Sequence, residues 1–106
     1  MFRGIYVFSL LLFLLTFPSG LMAHSPLLMC YDEGDGTILC EAGWSDGSSA
    51  AGSPVYVRDA SGKNLARGVV CPAGFIEFER PNGEFTVFFD GGEGHTLELL
   101  SSEVIE

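Results

Sequence analysis

Beyond Ala23 the sequence predicts an all-β fold, a seven-stranded antiparallel β-sandwich of immunoglobulin-like or transthyretin-like type, preceded by a signal peptide. Two observations carry this expectation. Apolar and polar residues alternate with a period of two from residue 27 onward, and turn residues interrupt the alternation every eight to twelve positions. A third agrees with them, since nothing between Ala23 and Ser102 repeats with helical spacing.

The elements follow in order. "LLMCYD" and "TILCEAGW" form a first strand pair around Gly34-Asp35-Gly36, and "SDGSSAAGS" is a loop of small residues. "PVYVRDA" turns Val55 and Val57 to one face and Tyr56 and Arg58 to the other. "SGK" leads into "NLARGVV", and "CPAG" into "FIEFE", with Ile76 and Phe78 inward. "RPNG" is a tight turn before "EFTVFFD", whose inward residues are Phe85, Val87 and Phe89. In the last strand, "HTLELLS", Leu97 and Leu99 face in and Thr96 and Glu98 face out. The tail from 103 to 106 is too short to assign to an element.

The first 23 residues belong to a different class of sequence. Arg3 is the only charge before Asp32, and "IYVFSLLLFLLTF" is an apolar run closed by Pro18, Ser19 and Gly20. A membrane-spanning helix needs ~20 good apolar residues, and these breakers spoil its last turns. A positive start, a short apolar core and Ala23 before the cut describe a secretory signal over residues 1–23, with the sandwich over 24–102. The mature chain is then periplasmic or secreted and has no membrane span.

Fourteen acidic residues against five basic ones give a formal charge of −9, which excludes nucleic acid and anionic membranes as natural partners. No G-x-S-x-G turn accompanies either histidine. "DEGDG" lacks the alternating ligands and closing glutamate of a calcium loop. Glu77 and Glu79 share the outward face of one strand, which reads as a solvated surface. The chain is therefore expected not to be an enzyme.

All three cysteines lie in the exported part, where a disulfide is permitted. A three-residue hairpin loop at Gly34-Asp35-Gly36 sets Cys30 directly opposite Cys40, the expected bridge. Cys71 is left over and is expected to be a small buried hydrophobe.

The two histidines are the best functional clue. His24 stands at the start of the mature chain and His95 follows the glycines of "GGEGHTLEL". If every connection reverses direction, odd-numbered strands start at the same end, so His24 and the turn before His95 meet there. Gly91, Gly92 and Gly94 would keep side chains clear of whatever approaches His95. Cleavage before Ala23 would let its amine, the His24 amide nitrogen and His24 Nδ1 form two fused chelate rings. His95 would complete a four-nitrogen plane suited to Ni²⁺ or Cu²⁺. Cleavage after Ala23 leaves one ring, from the His24 amine and Nδ1, with His95 as third nitrogen. The candidate metal ligands are thus His24 and His95, with Ala23 added only if it is the mature N-terminus.

The apolar leader ending in Ala-His, "PVYVRDASGKNL", the Gly-Phe strand at Gly74-Phe75 and the late Gly94-His95 together resemble one family. It comprises the small periplasmic accessory components of nickel and cobalt energy-coupling-factor transporters, with related carboxypeptidase-regulatory-like sandwich domains. The resemblance spans nearly all of the mature chain. It implies an exported Ni²⁺ or Co²⁺ binding or delivery protein partnered by membrane metal-transporter subunits on separate polypeptides. Cys71 departs from the acidic residue such domains often carry before the Gly-Phe strand. The rival expectation is a structural or interaction module of the cell envelope with incidental histidines. A copper-binding envelope protein using His24 is a third.

Overall fold

The computed structural model describes residues 24–106. The leader expected over residues 1–23, Ala23 included, lies outside the described residues. Seven strands appear in the expected order: β1 (Pro26–Asp32), β2 (Thr37–Trp44), β3 (Pro54–Asp59), β4 (Asn64–Val69), β5 (Phe75–Glu79), β6 (Phe85–Asp90) and β7 (Thr96–Leu100). They form two antiparallel sheets, a three-stranded one ordered β1-β2-β5 and a four-stranded one ordered β4-β3-β6-β7. Among the described residues no helix is long and apolar enough to cross a membrane.

Period-two alternation places the core between the layers. Leu28, Cys30, Ile38 and Cys40 from one sheet meet Val55, Val57, Phe85, Val87, Phe89 and Leu99 from the other, all buried. Ile76, Phe78 and Leu97 pack partly buried against them, inward as the alternation predicts. Strand β4 carries little of this burden, for Ala66 and Gly68 are small. A Cβ on Gly68 would stand 2.7 Å from the Ile76 side chain, so Ile76 of the facing sheet fills the space the glycine leaves.

The first hairpin has the expected three-residue loop. Asp32 pairs with Ile38, the Glu33 amide donates to the Thr37 carbonyl at 3.0 Å, and Gly34 and Gly36 take φ of 85° and 93°. Only glycine adopts such angles without strain. This register puts Cys30 opposite Cys40 with Cα atoms 4.0 Å apart, and the two are disulfide-bonded within the core. A disulfide there is consistent with an oxidising, extracellular compartment. Cys71, in the turn after β4, is a free thiol and only partly buried, contrary to the expectation of a buried hydrophobe.

So short a Cα separation marks a pair that exchanges no backbone hydrogen bonds with β2. The Cys30 carbonyl and the Asp32 amide therefore point to the open edge of β1. The chain end satisfies them. After a 3-10 turn at Ser101–Glu103, the Ile105 amide donates to the Cys30 carbonyl at 2.9 Å and the Ile105 carbonyl accepts from the Asp32 amide at 2.8 Å. Val104 is buried with the core. The tail thus covers an edge that would otherwise template pairing with another chain. The loop after β2 is pinned in a similar way. Ala50 is buried, and Gly52 and Ser53 exchange backbone hydrogen bonds with Val70 at 2.8 and 3.0 Å.

Arg80 donates to Asp32 and, at 3.3 Å, to Glu106, which ties the β5 end to β1 and to the tail. The Gly34 amide and the Arg80 guanidinium hold the Asp32 carboxyl below its ordinary range. Folded Asp32 thus binds its proton less readily than unfolded Asp32. Its contribution is complete above the unfolded pKa of about 3.9 and is lost as pH falls through the folded value. Melting temperature is expected to drop as pH is taken below about 4, and less steeply in Asp32→Asn, as thermal unfolding across pH will show.

Candidate metal site

One end of the sandwich gathers the start of β1, the end of β2 and the β6–β7 turn. The chain enters β1 through two bonds to the β2 end: the Ser45 amide donates to the Ser25 carbonyl at 2.9 Å, and the Ser25 amide to Ser45 Oγ at 2.8 Å. These fix His24 beside Trp44 and Asp46. On the other side, the Gly91 amide donates to the His95 carbonyl at 3.0 Å and the His95 amide to the Gly92 carbonyl at 2.9 Å. That closes the turn over the same place. His24 and His95, from opposite ends of the described chain, have ring centroids 6.0 Å apart. The Trp44 ring stands 5.6 Å from the first and 5.5 Å from the second. Phe89 of the core meets the same indole edge to face, with ring centroids 5.9 Å apart.

The structure thus brings the two expected residues together, as strand parity requires. Either expected chelate needs His24 Nδ1, and that atom is already engaged, 2.7 Å from Asp46 Oδ2. Asp46 is in turn held at its other oxygen, where Oδ1 accepts from the Ser48 amide at 2.9 Å and from Ser48 Oγ at 2.6 Å. These bonds, with a smaller part from His24, lower its carboxyl to about 2, so it is ionised throughout the neutral range. His95 Nδ1 lies 3.0 Å from the carbonyl oxygen of Glu93. Among the described residues neither Nε2 has a hydrogen-bonding partner. Imidazole nitrogens suit borderline divalent metals. No group of three or more His, Cys, Asp or Glu side chains is placed to hold a metal among the described residues. Asp46 meets His24 at Nδ1 and leaves Nε2 of that ring unengaged by it.

Within "GGEGH" the glycines are required by packing at one position and by backbone conformation at two. A Cβ on Gly91 would stand 2.6 Å from the Trp44 ring, 2.7 Å from the His95 carbonyl oxygen and 3.0 Å from the Phe89 ring. Gly91 is thus needed to seat the turn on the indole. Gly92 and Gly94 have open space around them, and their φ angles of 106° and 76° set the turn itself. Gly91→Ala is expected to cost about 1–3 kcal/mol by overpacking and to shift Trp44 emission, read together in a denaturant titration. Gly92→Ala should leave that emission unchanged while straining the turn.

Sequence reasoning missed Trp44 and Asp46. The signal was present, because the parity that brings odd strands' starts to this end brings even strands' ends here too. Trp44-Ser45-Asp46 closes the second strand. Comparison with protein-family models, curated proteins and solved structures found no match for the chain.

Proposed function

We propose that the protein is an exported, non-enzymatic binding or delivery protein for a divalent transition metal, Ni²⁺ or Co²⁺, associated with a membrane metal transporter. The observation that carries this reading is the 6.0 Å separation of the His24 and His95 rings, the only histidines of the chain. Two imidazoles sharing one metal at about 2.0–2.1 Å per nitrogen have centres roughly 4.5–6.5 Å apart, depending on the angle at the ion. The disulfide supports export, and the acidic surface favours cations over anionic partners. Cu²⁺ will bind more tightly than either cargo in the test tube whatever the biological metal, so preference among isolated ions does not decide the cargo.

Trp44 is the only tryptophan and touches both imidazoles, which makes it a built-in reporter. Addition of Ni²⁺ is expected to quench its fluorescence saturably in the wild type and to leave His95→Ala unaffected. Equal quenching in both proteins would remove the shared site.

A second reading, an interaction module of the envelope without a metal role, draws on a different surface. Leu27, Met29 and Phe75 stand exposed on the outer face of the three-stranded sheet. Loss of partner capture on Met29→Glu, with no effect of removing both histidines, would favour that module.

A further inference from the structure

We infer that His24 and His95 take the metal through Nε2, with Asp46 as the positioning residue, and that a freed N-terminal amine is not needed. The inference rests on the metal-binding reading above and specifies how that site works. It follows from hydrogen-bond direction. An ionised carboxylate can only accept, so the His24 nitrogen facing Asp46 Oδ2 at 2.7 Å carries the proton. A backbone carbonyl can only accept, so the His95 nitrogen facing the Glu93 oxygen at 3.0 Å carries its proton too. In each neutral imidazole the proton then resides on Nδ1 and the lone pair on Nε2. Both rings are fixed in the same tautomer by oxygen acceptors, the arrangement by which metal-bound histidines are oriented and made more basic.

The consequence is a site with two protein nitrogens and its remaining positions open. Water would fill them while the metal is bound, and ligands from a receiving protein could replace that water one at a time. Such a site suits hand-over of a divalent ion better than storage, because few protein bonds must break at transfer. The chelates that use the α-amine would instead have to detach His24 from Asp46.

Asp46→Asn is the discriminating variant. Asparagine retains an oxygen for Ser48 at the position of Oδ1, so the turn persists. The amide nitrogen then faces His24 Nδ1 and donates to it, which moves the imidazole proton to Nε2 and removes the lone pair from the metal. The protein, exported through its own leader, is titrated with Ni²⁺ alone and with Zn²⁺ alone, before and after acetylation of its α-amine. The expected result is unchanged affinity on acetylation and loss of about 10–100-fold in Asp46→Asn. Asp46→Glu should recover part of that loss, and Asp46→Asn should keep a melting temperature close to wild type. In the Zn²⁺ form, long-range ¹H–¹⁵N spectra of the imidazoles should show the metal-shifted nitrogen to be Nε2 on both rings. Loss of binding on acetylation, or a metal-shifted Nδ1 on His24, overturns this inference and leaves metal binding itself standing. No uptake by the unmodified protein overturns both.

Discussion

Replacing Cys30 and Cys40 together by alanine is expected to lower the free energy of unfolding by about 3 kcal/mol, a large share of the stability of so small a domain. The bridge closes a loop of sequence separation 10 and lies in the core, with both cysteines almost fully buried. Its removal acts first on the unfolded chain, which regains the freedom of that loop, and then on the native state, where two sulfurs leave unfilled space. A further loss is expected at the edge of β1, because the tail reads the Cys30 carbonyl and the Asp32 amide in the register the bridge fixes. Equilibrium urea unfolding of wild type and double variant measures the difference. Amide exchange should show the Ile105 amide losing protection with it.

Phe89→Ala is expected to cost about 3–5 kcal/mol, and to disturb the histidine site without touching either imidazole. Phe89 is fully buried between the sheets and packs against the Trp44 ring, centroid to centroid 5.9 Å. Trp44 in turn stands against both histidines. A cavity at this position removes the floor of the cluster, so Trp44 emission should move to longer wavelength in the folded variant. Metal affinity should fall although His24, Asp46 and His95 are intact. Val87→Ala, a similarly buried change two residues earlier in β6, serves as the control: it should lower stability while leaving the emission of the folded state in place.

The readability of this chain divides along physical lines. Alternation and turn residues together located every strand to within a residue or two: alternation marks strands that show one face to the core, as in Phe85, Val87 and Phe89 against Thr86 and Phe88, while the exposed β4 is bounded by its turns. The Cys30–Cys40 register was legible because a three-residue loop leaves only one pairing. The tail was not, since Val104 and Ile105 are ordered by an edge whose open groups exist only once β1 and β2 have paired. Ala50 was hidden for the same reason, as a small residue in a loop of small residues has no pattern to mark its burial. At the site, parity brought His24 and His95 together from sequence. Asp46 needed the closing turn after β2, and Gly91 needed the Trp44 ring above it. Contacts that depend on side-chain shape are invisible to periodicity.

The most direct measurement is native mass spectrometry of the protein exported through its own leader, with and without one equivalent of Ni²⁺. The predicted result is a metal-free mass two hydrogens below that of the fully reduced mature chain, one nickel retained per chain, and no nickel retained by His95→Ala. Nickel uptake that is indifferent to His95, or no uptake by the wild type, would contradict a metal shared between the two histidines.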